Sequence, residues 1–151
     1  MKKVFLVAVM SLVTFIEVYA QSYEYKVITT VESIVPMGLG RSRIVSAEEE
    51  KDYTAYTSVR TEENKKQNKS KRKDLKVNQF EETKLMNFYS VAGINFQNIA
   101  TNDALITSKI NAMIENGWEL AFVNSGVESE AGKGDGKGIF ITRFIFKRIK
   151  Q

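Results

Sequence analysis

No cysteine and no histidine occur among the 151 residues. Without cysteine there is no disulfide, no thiol nucleophile and no thiolate metal site. Without histidine there is no Ser-His-Asp triad and no zincin centre, and the usual side chain for acid-base work near neutral pH is missing. A second long apolar run is also lacking. Beyond the first twenty residues nothing approaches the ~18 consecutive apolar residues of a membrane-spanning helix. The sequence therefore predicts no catalytic residue, no cofactor and no metal site, and its length fits one ordinary domain.

What is present begins with an address. Lys2 and Lys3 precede an apolar stretch, Val4 to Ile16, broken only by Ser11 and Thr14. Val18-Tyr19-Ala20 then sets small side chains at the −3 and −1 positions of a cleavage site between Ala20 and Gln21. This is the pattern of a signal peptide over 1–20. An uncleaved anchor is the weaker reading, because the stretch is short for ~30 Å of hydrocarbon and Glu17 ends it. The expected mature chain is 21–151, one domain without an integral span, periplasmic or secreted. Losing Lys2, Lys3 and Glu17 leaves it 20 basic and 17 acidic side chains.

Alternation opens the mature chain. Tyr23, Tyr25, Val27, Thr29 and Val31 share one face of a strand, which reads as its buried side, with Ile28 as the exception among Glu24, Lys26, Thr30 and Glu32. A polar, basic insert follows at about 46–84. Its stretch from Arg60 to Lys73 carries seven basic and two acidic residues, and 65–73 has no apolar residue at all. Apolar residues return over 75–99. Asn102 reads as the N-cap of a helix over 103–116, with Leu105, Ile106, Ile110, Met113 and Ile114 at helical spacing and Asn116-Gly117 as its stop. Trp118, Leu120 and Phe122 alternate as a strand, and Ile139 to Ile149 form a last strand apolar on both faces.

These elements predict an α+β fold built on a three-stranded split β-α-β sheet. The last strand is central and antiparallel to both neighbours. The helix 103–116 covers one face and the apolar 75–99 segment the other. The first strand lies at an edge and offers self-association through 23–31, and the insert is partly disordered or helical.

Tyr23-Glu24-Tyr25-Lys26-Val27, the Gly117-Trp118-Glu119-Leu120 that ends the helix, and the closing Phe144-Ile145-Phe146-Lys147-Arg148 together resemble a family of small bacterial domains of unknown function. The resemblance covers roughly 23–31 and 103–148, leaving 34–100 as an insertion. It implies a fold and an exported, uncharacterised member, and carries over no catalytic residue.

Lys65, Lys66, Lys69, Lys71, Arg72 and Lys73 are the candidate anion-binding residues. Such a cluster neutralises phosphates or sulfates of an anionic polymer and releases counterions. The plainer reading is a solvated loop. Gly132 to Gly138 alternates Gly with Lys and Asp, but neither the P-loop ending nor a following helix is present, so it reads as a hairpin loop. Glu128, Glu130 and Asp135 offer oxygen ligands to calcium without EF-hand spacing. Ser70-Lys71-Arg72-Lys73 matches Ser-x-x-Lys without its companion motifs. Glu119 reads as a structural partner of Lys147 or Arg143 across the hairpin. Two functional classes follow. One is an exported non-catalytic binding or cell-envelope module. The other is a small carboxylate-based hydrolase or lyase, which needs neither His nor Cys. Expressed at full length in a secreting bacterial host, the exported product is expected to begin at Gln21 by intact mass, and Ala20→Arg to block processing. An exported product that retains 1–20 contradicts the cleavage.

Overall fold

The computed structural model describes residues 21–34, 42–90, 92–128 and 138–150. Ala20 and the leader, Glu130, Asp135 and most of the Gly132–Gly138 run lie outside them. Alternating segments form the long strands β1 (Tyr23–Ser33), β6 (Glu119–Glu128) and β7 (Ile139–Ile149). Shorter strands are β2 (Arg43–Ala47) and β3 (Phe80–Lys84), and β4 (Tyr89–Ser90) and β5 (Gly93–Ile94) make a separate small ladder. One long helix, α1 (Phe96–Glu115), completes the α+β fold. Among the described residues no helix is long and apolar enough to cross a membrane.

The main sheet has the order β3-β2-β1-β7-β6, and every adjacent pair is antiparallel. β7 pairs with β1 from Tyr23 opposite Ile149 to Ser33 opposite Ile139, and with β6 along its other side. Five strands replace the three expected, because β2 and β3 add to the outer side of β1. Ile28 to Val31 pair with Ser46 to Arg43, and β2 pairs in turn with β3 from Arg43 opposite Lys84 to Ala47 opposite Phe80. β2 covers β1 only from Ile28 to Val31, so the expected open edge is narrowed to 23–27 among the described residues, and the outermost strands are β3 and β6. The expected insert is correspondingly narrower. Ser46 and Ala47 belong to β2 and Phe80 to Lys84 to β3, and the polar loop between them holds a 3-10 turn at Tyr53–Tyr56 and one helical turn at Arg72–Leu75.

Among the described residues the core lies on one face of the sheet. Ile28, Ile44, Leu85, Met113 and Phe146 are buried together, with Ile106, Ile110, Trp118, Leu120 and Phe144 packed around them. Phe146 is completely buried, and such burial contributes about 2–3 kcal/mol. This inverts the expected polarity of β1: Ile28 and Thr30 are buried, while Tyr23, Tyr25 and Val27 face out. The inward charged residues are tolerated because each is paired, Glu24 with Arg148, Lys26 with Glu48, and Glu32 with Asn102, while the buried Thr30 hydroxyl has no hydrogen-bond partner among the described residues. Nor does 75–99 cover the second face. Phe80–Lys84 extends the sheet sideways, and Leu85 turns into the core beneath α1.

α1 starts earlier than the apolar stripe indicates. Its N-cap is Asn95, whose side chain accepts from the Asn98 N–H. Asn102 is instead inside the helix and fully buried. Its Oδ1 accepts from the Met86 N–H at 2.7 Å, and its Nδ2 donates to the Met86 carbonyl at 2.9 Å and to Glu32 Oε1 at 3.0 Å. One side chain thus ties helix, sheet and the 85–88 segment together. The helix stops as expected. Gly117, at φ 79°, occupies the left-handed region, its N–H bonds the Ile114 carbonyl and that of Trp118 bonds the Met113 carbonyl. This is the paired Schellman closure, and Trp118 and Met113 meet in the core. Asn102→Ala leaves both Met86 groups unpaired and is expected to cost about 3 kcal/mol by urea denaturation. A loss of less than about 1 kcal/mol would remove the clamp from the account.

Candidate functional site

The β-pleat sends Tyr25, Val27, Thr29 and Val31 of β1 to the face opposite α1, and Ile141, Arg143, Ile145 and Lys147 of β7 lie level with them. β6 reaches this face by an irregularity. The register shifts between Leu120 and Phe122, with Ala121 as the extra residue. Such a bulge reverses the side on which later residues project. Leu120 opposes the buried Phe146, whereas Phe122 opposes Ile145 on the outer face. The simple alternation of Trp118, Leu120 and Phe122 expected from sequence is broken by this one residue.

Read across the strands, the outer face is banded. Phe122, Ile145 and Val27 form one apolar row, and Ile141 and Val31 a second. Between them runs a polar row of Asn124, Arg143 and Thr29. Phe122 is 65% exposed, Tyr25 60% and Val27 43%. No described element covers these rows, and an apolar surface of this kind on a folded monomer marks an interaction site.

Arg143 stands out electrostatically. It is exposed on β7, an inner strand, and has no ion-pair or hydrogen-bond partner among the described residues. Several neighbouring charges on the face are matched: Lys147 lies 3.4 Å from Glu119 and 5.2 Å from the centre of the Tyr23 ring, and Arg43 pairs with Glu82 at 2.5 Å, while Lys84 and Glu128, at its margins, have no ion pair among the described residues. Glu119 thus pairs with Lys147 and not with Arg143. Glu128 lies at the far end of the face, opposite Ile139.

A groove of about 340 Å³ near the C-terminal end of α1 differs in this respect. It is bordered by Trp118, Arg148, Glu24, Lys26 and Glu48. Arg148 pairs with Glu24 and stacks 4.3 Å from the Trp118 ring centre, and Lys26 holds Glu48 at 2.9 Å. The hydrogen bond from Lys26 keeps the Glu48 carboxyl below its ordinary range. These charges satisfy one another, and Trp118 is half-buried against the core.

The candidate anion-binding residues Lys65, Lys66, Lys69, Lys71, Arg72 and Lys73 are all exposed on the 48–79 loop. None makes an ion pair among the described residues. Asn68 and Ser70 shape the loop, the Asn68 side chain donating to the Ala55 carbonyl and accepting from the Ser70 N–H. Gln21 is exposed and accepts from the Tyr23 hydroxyl.

Glu32 is the described carboxyl pushed upward. Burial raises it above the ordinary range, the Asn102 hydrogen bond opposes this, and the Asp103 charge adds to it. A carboxyl so placed serves the joint between β1 and α1. The sequence reading did not identify Arg143, Asn124, Phe122 or Thr29 as site residues. One signal was legible: Arg143 is the lone charge in Ile139-Phe-Ile-Thr-Arg-Phe-Ile-Phe146.

No family model, no curated protein and no solved structure matches the chain.

Because the Glu32 carboxyl is raised in the fold, its ionisation opposes folding. Its penalty is absent below about pH 4, the range of an unfolded Glu, and grows as the pH rises through the carboxylate range. Glu32→Gln keeps an acceptor for Asn102 and removes that charge. The variant is expected to match the parent near pH 4 and to melt higher at pH 7. Equal melting temperatures at both pH values would show that Glu32 carries no such penalty.

Proposed function

We propose that the chain is an exported, non-catalytic binding module of the cell envelope, and that it binds through the sheet face left open by α1. The carrying observation is the apolar row of Phe122, Ile145 and Val27, in which Phe122 and Val27 are exposed, on a sheet whose other face holds the buried core of the described residues. The layered logic of domains leaves such a face for a partner. The signal-peptide pattern supports export. The resemblance at 23–31 and 103–148 supports a split β-α-β core of β1, α1, β6 and β7 elaborated by β2 and β3. The unpaired cations from Lys65 to Lys73 support a second contact, an electrostatic arm for an anionic polymer.

The carboxylate hydrolase alternative draws on Glu32, with Asp103 as its charged neighbour. Glu32 is committed to Asn102 at the joint of helix and sheet, which favours the binding reading.

Mature protein 21–151 is expected to co-sediment with isolated bacterial envelopes. Tyr25→Ser with Phe122→Ser is expected to reduce that at least tenfold while the protein melts within a few degrees of the parent, since both side chains are exposed. Changing the six basic loop residues to Ser tests the arm separately. Envelope binding that survives the face substitutions contradicts the assigned surface.

A further inference from the structure

Resting on the open-face reading, we infer that this face seats on an anionic phospholipid surface, with Arg143 contacting a headgroup phosphate and the rows on either side entering the interfacial layer. Three observations carry this. The first is the unpaired charge. Arg143 lies in the middle of the face, between Thr29 and Asn124, both able to hydrogen-bond a phosphate oxygen. Guanidinium suits phosphate because its donors match the oxygen geometry.

The second is the composition and placement of its surroundings. Phe122 and Ile145 lie two residues along their strands from Asn124 and Arg143, about 7 Å away. Tyr23, Tyr25, Lys147 and Ile149 follow at one end of the face. Exposed aromatics with aliphatic and basic side chains are the composition that binds at a bilayer interface, where apolar area and attraction to anionic lipid add.

The third is shape. The space beside Arg143, bordered by Asn124, Gly126, Glu128 and Ile141, is an open surface hollow on the sheet. A small-molecule site would enclose most of its ligand. An extended planar partner suits a sheet face better. A second copy laid centre on centre would set Arg143 against its own counterpart. Glu82 and Glu119 already have cations of their own, and Glu128, the unpaired carboxylate bordering this hollow, lies four residues along the strand from that row and so outside a centre-on-centre contact.

The test uses the mature chain 21–151 and vesicles of phosphatidylcholine with and without phosphatidylglycerol, read by co-sedimentation. Binding is expected only with phosphatidylglycerol and is expected to weaken with salt. Arg143→Gln is expected to reduce it about fivefold, the effect of one basic residue near an anionic surface. Arg143→Lys should keep most of it, and Tyr25→Ser with Phe122→Ser should reduce it at least tenfold. Each variant is first checked by thermal unfolding, and the lysine variant keeps the test decisive if the glutamine variant misfolds.

Equal binding to both vesicle types overturns the inference, as does a full response to Arg143→Gln in the lysine variant too. Loss confined to the six-residue loop variant assigns membrane contact to the loop and also overturns it. A stable dimer that the face substitutions convert to monomer gives the face to a second copy. Tighter, face-dependent binding to a single-stranded oligonucleotide gives it to nucleic acid. Envelope co-sedimentation that depends on the face while vesicle binding is absent removes the lipid and leaves the binding-module reading standing.

Discussion

A five-stranded sheet has two faces, and the described part of this chain supplies one long helix. That constraint organises the molecule. α1 brings Ile106, Ile110 and Met113 to Ile28, Ile44 and Phe146, so the core is concentrated beneath it. Among the described residues nothing covers the aliphatic and aromatic side chains of the opposite face. The fold must therefore hold helix to sheet with few large residues, and polar groups assist. Asn102 spans α1, β1 and the backbone at Met86 with three hydrogen bonds. A buried amide is stabilising only when its groups are satisfied, and here both ends are occupied.

Paired charge keeps the inner side of β1 compatible with burial. Glu24 meets Arg148, Lys26 meets Glu48, and Lys109 of α1 meets Glu81 of β3. Exposed pairs of this kind contribute little stability each. Their effect is on identity: a strand whose inward positions are half charged still has one permissible face, because every inward charge has a placed partner. Arg143 lacks that arrangement, which is why it reads as a recognition group while Arg148 reads as part of the fold.

The long elements were legible because their periodicity is strong. β1, β6, β7, the second half of α1 and the Gly117 stop follow from alternation, helical spacing and the left-handed preference of glycine. β2 and β3 were not, because five-residue strands such as Phe80-Glu-Glu-Thr-Lys84 carry too little apolar signal beside a charged loop. The start of α1 was hidden by its inward polar residues, Asn98 and Asn102, the latter looking like a cap while serving as a clamp. The polarity of β1 is hidden in the sequence because its tyrosines and valines face outward. Most of the candidate face was illegible for a related reason. Whether a side chain lies over a core or on open surface depends on what covers the sheet, and the Ala121 bulge that turns Phe122 outward leaves no mark in hydropathy. The basic loop was legible from composition alone, and its exposure follows from it.

The pairing of β1 with β7 joins Tyr23 to Ile149, residues far apart along the chain. Loops this long close late, because their entropy must be met before distant contacts can compensate. Phe146, at the centre of the core, sits on β7 and is buried only once that long loop has closed. The contact that closes the longest loop is therefore the same one that completes the core. No local hairpin can rehearse it, so the sheet gains most of its stability in a single late, cooperative step.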